Sequence, residues 1–266
     1  MVDQRANGLT EMEIYDRFND AAPYYAAALW GKSGEVSFTT AQQTSENVGE
    51  APGVNAYDKV DSETDEILSY DFEDGLSDKS ANEYDAENGK NAEVKDGELV
   101  LKGGESYIST PLDKVGPEKE LSFDITLTQP AEPGQILFEA EKDEDHEAYS
   151  THNIRIMEDG TLGFTREGYD YSFGYKLPVN QKMTLKIRTK NGSTVLIADG
   201  KEYKATGSFT YEGDVKKTGI TRSTLSLPLT RIGSDTNAVH AIIDNVNLSS
   251  TMSDGESSPI DPSGLQ

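Results

Sequence analysis

The sequence predicts a mainly β protein, an antiparallel β-sandwich with a short helical segment at its front. Three observations carry this. Short runs rich in β-branched and aromatic residues recur from about residue 68 to 250, among them "ILSYDF", "ELVLKG", "ELSFDITL", "GQILFEA", "MTLKIRT", "TVLIAD" and "HAIIDNVNLS". Turn dipeptides separate many of them: Asp96-Gly97, Asp159-Gly160, Asn191-Gly192 and Asp199-Gly200. Alternation within the runs is clean, with Leu121, Phe123, Ile125 and Leu127 on one side and Leu185 and Ile187 likewise. Roughly a dozen strands are expected, with no helix of useful length between them.

Four sections follow along the chain. Residues 1–32 read as two short helices. Thr10 and Glu13 form a capping-box pattern, Pro23 suits the first turn of a second helix, and Gly31 suits its end. Their apolar stripe of Ile14, Phe18, Leu29 and Trp30 needs a partner surface, because two such helices cannot bury it alone. Residues 33–67 are polar, acidic and poor in large aliphatics, which predicts a linker or strap. Residues 68–250 form the sandwich, and the Ser-, Pro- and Gly-rich residues 251–266 read as a flexible tail.

Composition narrows the function. Against 24 basic residues stand 48 acidic ones, a net charge of −24. Such a surface repels phosphate backbones and anionic headgroups, which argues against nucleic acid and against membranes as partners. No apolar run approaches the length of about 18 residues that a spanning helix needs. The first residues, "MVDQRANGLTEME", lack the basic and apolar regions of a signal peptide. The chain has no cysteine, so disulfide and thiolate chemistry are excluded. Its three histidines, His146, His152 and His240, show no metal-ligand spacing.

Two resemblances add to this reading. The opening "YDFEDG", the runs "GELVLKGGESYISTPL" and "ELSFDITL", and the closing "AIIDNVNLSS" resemble the concanavalin A-like, laminin-G-like jelly-roll family in their order. That resemblance spans about two thirds of the chain. It implies glycan or protein recognition, with a bound calcium ion in some members, and a last strand lying beside the first. The front segment, "GLTEMEIYDRFNDAAPYYAAALWGK", resembles the late helical part of the catalytic barrel in family 20 glycoside hydrolases, the β-N-acetylhexosaminidases and lacto-N-biosidases. It implies that residues 1–32 are the end of an upstream catalytic barrel. The sandwich would then be the accessory module of an extracellular or cell-wall-associated bacterial enzyme. The family's catalytic Asp-Glu pair is not found here: Asp65-Glu66 and Asp143-Glu144 lie in acidic linker and loop sequence.

Candidate sites are few. In "REGYDYSFGY", Tyr169, Tyr171, Phe173 and Tyr175 recur at period two. The row either packs inward or forms a half-exposed platform for a sugar, since sugar rings offer apolar faces and hydroxyl edges. Arg166 and Asp170 would fix the sugar's orientation, and an amino-sugar- or galactose-containing glycan is the expected ligand. By the family resemblance, a calcium ion would sit between the first strand and the last, on Glu73 and Asp244, since calcium takes hard oxygen ligands. The carboxylates of "EAEKDEDHEA" (Glu139, Glu141, Asp143, Asp145 and Glu147) partly match the alternation of sandwich-fold glycanases. They read better as a solvated acidic loop. Two rival functions remain open: a structural spacer that binds no sugar, and an autonomous hydrolase using those carboxylates.

Overall fold

The computed structural model describes residues 24–26, 28–29, 37–48, 60, 62–142, 151–166, 169–190, 192–210, 216–220 and 223–250. The chain divides into two units, Met1–Ala56 and Tyr57–Gln266. In the first, the described part of the expected second helix, residues 24–26 and 28–29, is helical; the rest of 1–32 lies outside the described residues. A further helix, α1 (Phe38–Val48), runs through sequence expected to be linker. Its start is capped: the Thr40 amide donates to Ser37 Oγ at 3.1 Å, and the Ala41 amide to the Ser37 carbonyl at 3.0 Å. Phe38 meets Tyr24 edge-on, with ring centroids 5.7 Å apart. The missed signal is that serine cap ahead of a Gly- and Pro-free run; α1 has no continuous apolar stripe to announce it. No described helix is long and apolar enough to cross a membrane.

The second unit is the antiparallel β-sandwich. Its strands are β1 (Glu66–Tyr70), β2 (Glu87–Lys90), β3 (Glu93–Lys95), β4 (Glu98–Ser109), β5 (Lys114–Val115) and β6 (Lys119–Leu127). They continue as β7 (Ile136–Glu139), β8 (His152–Ile156), β9 (Leu162–Arg166), β10 (Tyr169–Tyr175), β11 (Met183–Lys190) and β12 (Ser193–Ala198). The last are β13 (Lys201–Lys204), β14 (Thr206–Thr210), β15 (Lys216–Ile220), β16 (Leu227–Pro228) and β17 (Arg231–Ser249). Hydrogen bonding links them in the order β13-β12-β11-β6-β17-β7-β8-β9-β10-β14-β15, with β1 and β4 also on β17. β5 and β16 pair separately. As expected, the last strand lies beside the first, with Leu68 opposite Leu248.

β17 organises the whole. Its first residues pair with β7 and its later ones with β6, and against β4 the register shifts between Ser234 and Ala238. That bulge lets one strand serve both layers. β4 shifts at the same level, at the Gly103-Gly104 step, where both residues have positive φ. Two pairs of segments that look separate in sequence, "ELVLKG" with "SYIST" and "LTRIGS" with "AIIDNVNLSS", are therefore single bent strands.

The alternating apolar residues of β6 and β11 face those of β7–β10, and one continuous core results. Phe123 from one layer meets Phe138 from the other edge-on, centroids 4.9 Å apart. At the far side Tyr175 of β10 packs on Tyr203 of β13 at 5.1 Å, so the layers nearly close. The Asp96-Gly97 and Asp199-Gly200 pairs both have positive φ at each residue, the backbone of a tight two-residue hairpin turn.

Candidate functional site

Strands β7 to β10 have two faces with different chemistry. Inward go Phe138, Ile154, Ile156, Leu162, Phe164 and Tyr171, all fully buried. Period-two geometry sends the intervening residues outward. These align across the ladder: Arg231 of β17 opposite Glu139 of β7, Glu139 opposite Asn153 of β8, Asn153 opposite Thr165 of β9, and Thr165 opposite Asp170 of β10. A second row two residues along holds Arg155, Gly163 and Ser172. One outward face therefore carries a belt of charged, amide and hydroxyl groups, broken beside Arg155 by Ile136 and by Met157, which lies over Gly163.

Parts of the belt are internally bonded. Thr165 Oγ1 donates to the Asp170 carboxylate. Thr161 Oγ1 donates to Asp159 Oδ1 at 2.5 Å and lies 2.6 Å from Ser172 Oγ. Glu139 is only 3% exposed. One of its oxygens accepts the Ser234 hydroxyl at 2.8 Å and the other the Asp235 amide at 2.8 Å, with Arg231 Nη1 3.5 Å away. Burial nonetheless pushes its carboxyl above the ordinary glutamate value, against those hydrogen bonds. Two members are not satisfied. Asn153 is 4% exposed, and its Oδ1 has no hydrogen-bond partner among the described residues. Arg155 Nε is equally buried and unpartnered. Most buried polar atoms find a partner, so these two exceptions need an explanation.

The aromatic row expected as a sugar platform is packed inward instead. Tyr171 is 0% exposed and stacks on Phe164 at 4.9 Å, while Phe173 and Tyr175 are also buried; Tyr169 is half-buried against the same core. Tyr175 donates to Asp199 Oδ2 at 3.1 Å, and burial together with that carboxylate pushes its hydroxyl up to about 12. Arg166 shares this inward side. It is fully buried, lies over the Tyr171 ring and donates to the Tyr171 hydroxyl at 3.1 Å. Of the six residues expected to touch sugar, Asp170 alone faces outward, onto the belt. Period two reveals that one side of β10 is aromatic; which side meets the core is decided by β9 and β14 packed around it.

The two expected calcium ligands are held apart in role. Glu73 lies just past β1, its carboxylate against Gly97. Asp244 lies on β17 directly opposite Asp124 of β6. Between them stands Lys182, its Nζ 3.0 Å from Asp244, 3.4 Å from Asp124 and 3.5 Å from Glu98. Asn245 Nδ2 donates to both aspartates, and Thr184 Oγ1 donates to Asp124. An ammonium supplies the positive charge here, and no cluster of three carboxylates or histidines fit for a metal occurs among the described residues. This donor set does not fit calcium. Nor is Glu139 part of a solvated loop: it clasps the β17 bulge, and Glu141 shares Arg231 at 2.7 Å. Asp143, Asp145 and Glu147 lie outside the described residues.

Asn153, Arg155 and Thr165 escape a sequence reading that looks for aromatic or acidic clusters. The available signal is the alternation in "HNIRIM", where Asn153 and Arg155 interrupt an otherwise apolar strand.

No protein-family model matches the chain, and no curated protein matches it. Among solved structures, the chain is similar to domain 4 of AbnA, a GH43 extracellular arabinanase from Geobacillus stearothermophilus, in complex with arabinotriose. That match has 19% identity and a TM-score of 0.46, covering 69% of this chain and 91% of that one. It is also similar to Trypanosoma rangeli sialidase at 13% identity and TM-score 0.49, covering 71% of this chain but 31% of the sialidase. Cip1, a cellulose-induced protein, matches at 15% identity and TM-score 0.44, covering 69% of this chain and 97% of that one.

Proposed function

We propose that the sandwich is a carbohydrate-binding module whose site is the outward belt of β7–β10. The observation that carries the reading is Asn153, nine-tenths buried on the face away from the core with its carbonyl oxygen unpartnered. Leaving a buried acceptor unmade costs about 1–3 kcal/mol, a cost that a ligand donor removes. On the same face stand Thr165, directly opposite Asn153, and Asp170 one strand further on, with Ser172 bonded to Thr161 two residues along. Sugars offer many hydroxyls that both donate and accept, and a mixed belt of this kind suits them. Binding should be weak, with Kd of about 0.1–1 mM.

The finer form of the reading places this module after a family 20-type barrel in an extracellular enzyme acting on amino-sugar- or galactose-containing glycans. Its support is the resemblance of residues 8–32. The genomic frame upstream of Met1 tests it: a barrel sequence with an Asp-Glu pair flanked by His and Gly is the expected result. The binding reading is tested by a glycan array followed by calorimetry on the full chain, wild type against Asn153→Ala. Loss of about 1 kcal/mol or more of affinity, with an unchanged melting midpoint, is expected. Wild-type protein that binds no glycan would leave the spacer reading in possession.

A further inference from the structure

We infer that the belt takes a sugar bearing a carboxylate, a uronic or nonulosonic acid residue, and that Arg155 receives the carboxylate. This rests on the carbohydrate-binding reading above and names the class of its ligand.

With 48 acidic and 24 basic residues, carboxylates are in surplus throughout this chain. Cations elsewhere find them: Lys102 pairs with Glu93, Lys182 with Asp244, Arg188 with Glu202 and Arg231 with Glu141. Arg155 has no ion pair or hydrogen bond from its side chain among the described residues, and its Nε is buried. The belt's own carboxylates are engaged, Glu139 by Ser234, the Asp235 amide and Arg231, and Asp170 by Thr165. The ladder neighbours of Arg155 are Ile136 on β7 and Gly163 on β9, the latter overlain by Met157, and none of the three can pair with a guanidinium.

A guanidinium is a planar fork of donors that matches a carboxylate with two parallel hydrogen bonds, whereas a neutral hydroxyl meets one. Two residues earlier on the same face, Asn153 Oδ1 lacks a donor. A sugar acid answers both needs: its carboxylate goes to Arg155 and a ring hydroxyl to Asn153. The chain's net negative charge acts over distances that salt screens beyond about 8 Å at physiological strength, while the fork acts at contact.

The test is calorimetry on the full chain with two probe pairs, trigalacturonate against its carboxyl-reduced galactotriose, and sialyllactose against lactose, alongside a glycan array. Wild-type protein should bind the carboxylated member of at least one pair roughly tenfold to a hundredfold more tightly. Arg155→Gln breaks no bond within the described residues, so the fold should hold; it should erase the preference and leave the neutral affinity in place. Arg155→Lys, a point charge without the fork, should recover only part of it. Equal binding of charged and neutral partners, or a preference that survives Arg155→Gln, overturns the assignment. If Asn153→Ala abolishes that neutral binding, the glycan face stands and only the acidic specificity falls. If no glycan on the array binds wild type, both fall together.

Discussion

Across β6, β11 and β17 the outward face ties Asp124, Thr184, Lys182, Asp244 and Asn245 to one another, whereas across β7–β10 it leaves Asn153 Oδ1 and Arg155 Nε without hydrogen-bond partners among the described residues. Both faces use the same kinds of residue on the same kind of strand. In the first, two aspartates stand directly opposite, a repulsive cross-strand arrangement that a lysine and two neutral donors resolve. In the second, the cation stands opposite a glycine, and the amide oxygen opposite a threonine whose hydroxyl is already given to Asp170. A surface that satisfies itself has fewer free donors and acceptors to offer a ligand. One that does not is held in place by the rest of the sandwich, and that local conflict is what the binding proposal rests on.

The largest expected effect breaks the comparison at its base. Tyr171→Ala removes a fully buried ring stacked on Phe164 and strips the buried Arg166 of a hydrogen-bond partner. It should destabilise by about 3–5 kcal/mol in denaturant titration. A loss below about 1 kcal/mol would mean that the ring is not core.

Next is the pH dependence of Glu139. Its folded carboxyl is raised, burial being the main cause, so the folded protein holds a proton that the unfolded chain has released. Stability should therefore fall as pH rises from the ordinary glutamate value through the raised one. The slope from this group is at most about 1.4 kcal/mol per pH unit. Glu139→Gln, which keeps an acceptor for the Asp235 amide, should flatten that slope in melts at stepped pH. An unaltered slope would place its origin elsewhere.

Asn153→Val sharpens the contrast between the faces. Replacing an unpartnered buried amide by an apolar strand former should leave stability unchanged or raise it by about 1 kcal/mol, while glycan binding is lost. Marked destabilisation would show that the amide is needed by the fold itself. Smallest is Lys182→Met. Burial tends to raise Asp124, but hydrogen bonds from Thr184 and Asn245 and the Lys182 charge hold it below the usual aspartate range. Its contribution is present above the ordinary aspartate value and is lost as pH falls through the lowered one. Lys182 is 49% exposed, so solvent screens the pair and the loss at neutral pH should be under about 1 kcal/mol. It should shrink further in acid, which the same stepped melts would register.

The architecture was readable from sequence because its signals are local: alternation in β6 and β11, and Asp-Gly turns at 96–97 and 199–200. What sequence could not divide correctly was β4 and β17, since a bulge spanning two layers looks like a break when each strand is read alone. The site illustrates the same limit more sharply. Strand β10 drew attention through its aromatics, yet only Asp170 of the expected contacts faces the belt. Asn153 and Arg155 look like ordinary polar residues of an edge until β7 and β9, the strands before and after, align beside them. Register across β7, β8 and β9 belongs to pairs of strands, and no spacing within one strand encodes it.

Strand β17 also bears on how the protein is made. It is the last described strand to leave the ribosome, and β1, β4, β6 and β7 all pair with it. Until it arrives those four strands carry open edges, some of them more than a hundred residues from their eventual neighbour: Leu68 waits for Leu248, Ile125 for Ile243. Non-local pairing of this kind slows folding, and unpaired edges recruit other chains. The nascent sandwich is thus most exposed to aggregation just before synthesis of its final strand. The acidic residues in surplus along the chain would then act as mutual repellents between neighbouring nascent copies, a task completed before any ligand is met.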